Sequence, residues 1–127
     1  MNQKKNYLHL NDLNAYKSSF YLSNDVWDIV VKWDWFSRDT VGKQFVRSVD
    51  SISANIAEGF GRYSKKAKIQ FYRYSLGSVM ESLDWNEKAL KRKLINKRQY
   101  LHLLDELKKL PQEIKHLIKF TNDKLSI

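Results

Sequence analysis

The sequence predicts an all-α protein, an antiparallel up-down-up-down four-helix bundle. Three observations predict it. Breakers are scarce, with one proline and four glycines in 127 residues, which favours long helices over a turn-rich β fold. Apolar residues recur at three- and four-residue steps through four separate stretches, as they do on one face of a helix. The polar breaks between those stretches are short, and short connections make consecutive helices run in opposite directions. One core is feasible at this length. The chain therefore reads as a single domain over 1–127, with helices at about 11–33, 38–60, 64–94 and 97–121.

Residues 1–10 are polar and expected to fray, and the chain from about Asn122 is expected to be loose. Asn11 or Asp12 is placed to cap the first helix. Leu13, Tyr16, Phe20, Trp27 and Val30 share one face, widened by Val26, Ile29 and Trp33. Tryptophan is costly to expose, so Trp27 and Trp33 are expected in a core or an interface. Periodicity fails over 33–40, where Asp34, Ser37, Asp39 and Thr40 suit a turn, and the first connection is expected there.

On the second helix Val41, Phe45, Val49, Ile52, Ile56 and Phe60 form the apolar stripe, and Ser48, Ser51, Ser53 and Ala54 permit a close neighbour. The third helix carries one stripe of Ile69, Tyr72, Leu76, Val79, Leu83, Leu90 and Leu94 and a second of Phe71, Ser75, Ser78, Ser82, Trp85 and Ala89. Two stripes imply two neighbours, inside a bundle or at an oligomer interface. Gly77 lies in mid-helix, at a cost of up to ~1 kcal/mol relative to alanine. It is read as a close backbone crossing, with simple tolerance as the alternative. On the fourth helix Leu103, Leu107, Leu110, Ile114 and Leu117 face inward, broadened by Leu104 and Ile118. Pro111 falls inside this pattern and is expected to kink or divide the helix.

The corner between the second and third helices is the most distinctive stretch. Gly59 and Gly61 are expected to supply the positive backbone angles that end a helix, and Ser64 to cap the next one. Glu58 sits at a helix carboxyl end, where the dipole disfavours a carboxylate, so a partner is expected in Arg62 or Arg73. Asn55, one turn earlier, is placed to bond across helices. The run from Asn55 to Lys66, with Phe71 and the stretch from Leu76 to Glu81, resembles the signature of the four-helix-bundle family called 23S rRNA intervening-sequence proteins. Where the family pattern usually has proline this chain has Ser53, which implies a straighter second helix. The resemblance implies bundle proteins encoded within sequences that interrupt ribosomal RNA genes. It also implies a likeness to the accessory variability protein of diversity-generating retroelements, a nucleic-acid-binding bundle that partners a reverse transcriptase. Assembly as a homo-pentamer is part of the same implication.

Composition narrows the chemistry. The chain has no cysteine, which excludes disulfides and thiolate metal sites. No apolar run approaches the ~20 residues that cross a bilayer, and the amino end lacks the apolar core of a signal peptide. A soluble, cytoplasmic protein with no membrane role is expected. Gly59-Phe-Gly61 before Ser64 lacks the strand, third glycine and spacing of a nucleotide loop. An anion would still suit the start of the third helix beside Arg62, Ser64 and Lys65. Glu113-Ile-Lys-His116 has the spacing of a di-iron helix, but such sites need two of these motifs and two further glutamates. The expectation is a non-enzymatic protein without metal or cofactor. A metal-dependent enzyme is the weakest rival.

Charge points to a partner. Residues 1–59 are electrically balanced, whereas residues 60–100 hold eleven basic and three acidic side chains, a net of +8 out of the +9 of the whole chain. A localised surplus indicates a polyanion better than a diffuse one. Two clusters carry it: Arg62, Lys65, Lys66, Lys68 and Arg73 at the start of the third helix, and Lys88, Lys91, Arg92, Lys93, Lys97 and Arg98 at its end and in the next turn. Tyr63, Tyr72, Tyr74 and Tyr100 lie near them and are either core residues or stacking platforms for unpaired bases. The leading expectation is an oligomeric nucleic-acid-binding protein, with RNA favoured over DNA. The alternative is a protein–protein adaptor or structural oligomer whose basic faces are solvated.

Overall fold

The computed structural model describes residues 9–125 and is all-α, with four long helical segments and no strand among the described residues. A 3-10 turn, Leu10–Asp12, leads into α1 (Asn14–Val30). A single-turn α2 (Trp35–Ser37) runs through a π-helical segment, Arg38–Gly42, into α3 (Lys43–Phe60). The longest helices are α4 (Lys65–Lys91) and α5 (Lys97–Lys124). The frayed segment expected over residues 1–10 falls largely on residues 1–8, outside the described residues.

Capping chemistry explains where these boundaries differ from the sequence reading. Neither Asn11 nor Asp12 caps α1; its N-cap is Leu13, without a side-chain bond, and the Asp12 carboxylate instead accepts from the His9 amide at 2.8 Å. The first connection is only residues 31–34, because Asp34 accepts from the Ser37 amide at 3.0 Å and restarts the helix. That bond holds the Asp34 carboxyl below its ordinary range. The Ser64 hydroxyl accepts from Ala67 at 3.1 Å and starts α4 as expected. Asn96 and Gln99 form a capping box that starts α5. α3 runs unbroken through Ser53. α5 runs unbroken through Pro111 and on to Lys124, so the expected division at Pro111 and the loose end from Asn122 are corrected. Leu107, Leu110 and Ile114 are fully buried around the proline, and their packing offsets the ~3 kcal/mol that an interior proline costs.

Packing runs round a closed cycle: α1 on α3, α3 on α4, α4 on α5, and α5 back on α1. The second predicted stripe is buried as expected at Val41, in the π-helical segment, and at Phe45, Val49, Ile52 and Ile56 of α3, and so is the α5 stripe at Leu103, Leu107, Leu110, Ile114 and Leu117. The seam of α4 differs from both predicted stripes. It is Tyr72, Ser75, Val79, Ser82, Asn86 and Ala89, a three-four alternation of the kind that packs one helix into another's grooves. Small polar side chains let α3 approach it: Ser75 donates to the Ile52 carbonyl at 2.8 Å and Ser82 to the Ser48 hydroxyl at 2.9 Å. α1 is rotated from the predicted face in the same way. It buries Ala15, Ser19, Leu22, Ser23, Val26 and Val30, and leaves Trp27 55% exposed and Phe20 on the surface.

Two of the glycines, Gly42 and Gly59, act through space, and none acts through positive φ. No glycine has a positive φ, and Gly61 at the end of α3 is right-handed (φ −81°, ψ −8°). Gly59 is buried where the helices pack closely, and a β-carbon there would lie 2.7 Å from the Tyr72 ring and 2.9 Å from the Lys68 carbonyl. Gly42 meets Val30 in the same way, at 2.7 Å. Gly77, expected at a close crossing, has nothing within 4 Å of its β-carbon position. Among the described residues the one left-handed residue is Lys93, with φ 63°.

Candidate nucleic-acid interface

The first basic cluster lies at the α3–α4 corner, and much of it is structural. Arg62 pairs with Glu58 at 2.6 Å, the partner that Glu58 was expected to need, and stacks 4.7 Å over the Phe71 ring. Lys68 donates to the Phe60 carbonyl at 2.7 Å, and partial burial pulls its ammonium below the ordinary lysine range. Lys65 reaches across to the Asn122 carbonyl at 3.1 Å. Asn55 bonds the Ser51 carbonyl of its own helix at 2.8 Å, so the expected cross-helix bond is corrected. The Gly59–Tyr72 contact closes the corner, and the buried Tyr72 hydroxyl, bonded to Thr121, is pushed up to about 12 by burial. The motif residues Asn55, Glu58, Gly59, Gly61 and Ser64 thus shape a helical corner. Lys66 and Arg73 are exposed and form no ion pair among the described residues.

The second cluster lies ~40 Å away along α4, by the rise of 1.5 Å per residue. The amide of Leu94 donates to the Ala89 carbonyl at 2.9 Å and that of Lys93 to Leu90 at 3.0 Å. These are the two bonds of a Schellman ending, with Lys93 in the left-handed position that glycine usually fills. Leu94 and Ile95 tuck inward, which turns Lys91, Arg92 and Lys93 out to solvent. Lys97 and Arg98 follow on the first turn of α5, with the Lys97 ammonium 5.5 Å over the Tyr100 ring. Lys88 is tied to Asp84 at 2.6 Å and lies 4.6 Å over the Trp85 ring. Among the described residues none of Lys91, Arg92, Lys93, Lys97 and Arg98 forms an ion pair.

The aromatic residues sort by burial. Tyr72 is buried in the core and unavailable to a base. Tyr100 donates to Glu87, and that bond, more than burial, raises the phenol above its ordinary range. Tyr63 is 81% exposed, and Tyr74 is exposed with its hydroxyl accepting from Gln70 at 2.7 Å. Sequence reasoning missed Trp35 and Phe36, both 67% exposed, of which Phe36 lines a cleft together with Arg92 of the second cluster. Their signal was present in two consecutive aromatic residues within a stretch read as a turn.

The other acidic and imidazole groups do not converge. Glu113 accepts from Ser18 at 3.2 Å, while His116 faces Gln112 at 3.0 Å and His102 faces Asp25 at 3.0 Å. No group of three or more potential metal ligands occurs among the described residues. Nor is any helix of the described residues long and apolar enough to cross a membrane.

Four long helices around one core, with two basic corners at opposite ends of α4, define a basic helical-bundle protein. The profile of the 23S rRNA-intervening sequence protein family matches residues 11–116, and the chain belongs to that family. Among solved structures it is similar to a protein of unknown function from the S23 ribosomal protein family of Bacteroides thetaiotaomicron VPI-5482. The two share 21% identity with a TM-score of 0.74, over 83% of this chain and 98% of that one, a likeness of fold. No curated protein matches the chain.

Proposed function

We propose that the protein is a non-enzymatic, cytoplasmic nucleic-acid-binding bundle that prefers RNA to DNA and works as a homo-oligomer, with five subunits as the expected number. An antiparallel course of the helices is part of this reading. It is supported by the pairs Ser75–Ile52 and Ser82–Ser48 between α3 and α4, in which one number rises as the other falls. Ser18–Glu113 and Asp25–His102 support the same course between α1 and α5.

The observation that carries the function is the α4–α5 corner. Five cations stand there without acidic partners among the described residues, and one of them, Lys93, occupies a left-handed position. A non-glycine residue in that region costs ~1 kcal/mol or more, so a lysine there is stability set aside for charge. The family's name places its members in sequences that intervene in 23S rRNA, and on that association we take RNA as the first ligand to test. In a ring of parallel subunits each corner would repeat around one end and form an extended phosphate-binding surface.

The test is binding of single-stranded RNA and DNA by purified protein across a salt series. Neutralising about five phosphates gives a slope of about −3.5 in log K against log salt, or ~100-fold weaker binding between about 50 and 200 mM. Lys91→Glu with Arg92→Glu and Lys93→Glu should abolish binding and leave the helical circular dichroism unchanged. If this variant binds as well as the parent, the corner is not the site.

A second reading is a protein adaptor. The observation favouring it is a groove between α1 and α3, floored by Trp27, Val31 and Val46 and rimmed by Arg38, Lys43 and Arg47. A stable oligomer that ignores nucleic acid even at low salt would favour this reading.

A further inference from the structure

We propose that a cleft beside the basic corner is a subsite for a single unstacked nucleobase of an RNA strand, with Arg92 on the adjoining phosphate. The cleft lies where the π-helical entry to α3 faces the end of α4, and its volume is about 570 Å³. That is within the range of ~300–1,000 Å³ typical of small-ligand sites, and roomy for a base with its sugar. The proposal rests on the nucleic-acid reading above and names what part of the strand is held.

Phe36 and Trp85 both line the cleft, and every base offers a π-face to such rings. Phe36 is a free platform on the surface. Trp85 is held in place: its indole nitrogen donates to Glu81 at 3.3 Å, and Lys88 sits over its ring. A cation on a π-face steadies the ring and keeps positive charge beside the base.

The remaining wall supplies hydrogen bonds. Gln44 lines the cleft and its side chain makes no hydrogen bond among the described residues, so its side-chain amide offers both a donor and an acceptor to a base edge. The Thr40 hydroxyl donates to the Phe36 carbonyl at 2.7 Å, which leaves its oxygen as an acceptor. Asp39 is the one acidic lining residue, and Lys43 at 3.4 Å offsets its charge. The fixed charge remaining in the lining is Arg92, whose planar fork suits a phosphate. Its neighbours Lys91 and Lys93 continue the positive surface outward. The π-helical turn that brings Thr40 and Val41 to the cleft is a rare conformation, common at functional sites. A paired base cannot enter, so the cleft selects single strands, loops or bulges.

The test compares binding of a mixed-sequence single-stranded RNA with that of an abasic oligomer of equal length at one salt concentration. The oligomers carry the same phosphates, so the basic corner alone treats them alike. The parent should bind the base-bearing strand about 5- to 150-fold more tightly. Phe36→Ala removes an exposed ring without touching the core, and should remove most of that preference while leaving abasic binding unchanged. Phe36→Trp should keep it. Equal binding of the two oligomers by the parent, or a preference that survives Phe36→Ala, overturns the subsite and leaves the basic-surface reading standing. Binding of neither oligomer at low salt overturns both. Saturation by a free nucleoside monophosphate without oligomer binding overturns the strand assignment and makes the cleft a small-molecule site.

Discussion

Alanine at Gly59 and alanine at Gly77 should change stability in opposite directions. Both glycines have right-handed backbones inside or at the end of a helix, so each substitution gains up to ~1 kcal/mol of helix propensity. At Gly77 nothing lies within 4 Å of the new β-carbon. That gain stands, and it corresponds to a rise of about 3–6 °C in Tm for a domain of this size. At Gly59 the β-carbon meets the Tyr72 ring at 2.7 and 2.9 Å and the Lys68 carbonyl at 2.9 Å. The ring is fully buried with its hydroxyl on Thr121, and the carbonyl is helix backbone. Neither yields cheaply, so α3 and α4 must part. Overpacking of this kind costs ~1–3 kcal/mol. Parting the helices also strains the Lys68–Phe60 and Ser75–Ile52 bonds, at 2.7 and 2.8 Å. The net expectation is a loss of ~1–2 kcal/mol for Gly59→Ala, and a lower Tm. Urea and thermal unfolding followed by circular dichroism measures both. A Gly59→Ala variant as stable as the parent would refute the close-packed corner. A destabilised Gly77→Ala would show that its face meets something in solution.

Lys93→Gly should raise stability by ~1 kcal/mol by relieving the left-handed backbone, while weakening RNA binding and lowering the salt slope by about 0.7; unfolding and a salt titration read the two effects separately. Asn86 is fully buried in the α4 seam, with one amide oxygen unbonded. Asn86→Leu removes that cost but also the bond from the Asn86 amide nitrogen to the Tyr100 carbonyl at 3.2 Å, so it should gain at most ~1 kcal/mol in a urea melt, and the variant should be checked for altered oligomeric mass, because a buried seam asparagine fixes register. The folded-state pKa of Tyr72 is raised to about 12 from 10.0. Its protonated form therefore contributes stability that is complete below pH 10.0 and lost as pH rises towards about 12. Tyr72→Phe should flatten that alkaline loss in melts run across the window.

Much of the fold was legible because local chemistry settles it. Apolar periodicity found four helices, and the regular stripes of α3 and α5 are the buried ones. Ser64 is a cap, and Glu58 has its arginine. The faces of α1 and α4 were not legible. Large aromatics such as Trp27 and Phe20 drew the predicted face towards themselves, whereas Ser19, Ser23, Ser75 and Ser82 occupy the interior. Small polar residues lie inside where helices approach too closely for larger ones, and their hydroxyls find backbone partners only once the neighbour is present. The division expected at Pro111 does not occur for the same reason, since helix propensity does not register the burial on both sides of it.

The candidate interface divides likewise. Its charge was visible in the sequence, because a count of lysines and arginines needs no coordinates. Which cations are spent on the fold was not visible: Arg62, Lys65 and Lys68 are engaged at the α3–α4 corner, and the cluster at Lys91–Arg98 is left largely open. The cleft joins Phe36 and Gln44 to Trp85 and Arg92, residues distant in the chain.

The sequence by itself determined the four long helices, the cap at Ser64 and the place of the charge, all of which depend on residues within a few positions of one another. Only the tertiary structure decided which face of each helix is buried, which glycine is needed for space and which cations remain unpaired. Those depend on what a neighbouring helix brings within 3–4 Å, and periodicity along one helix does not contain that information.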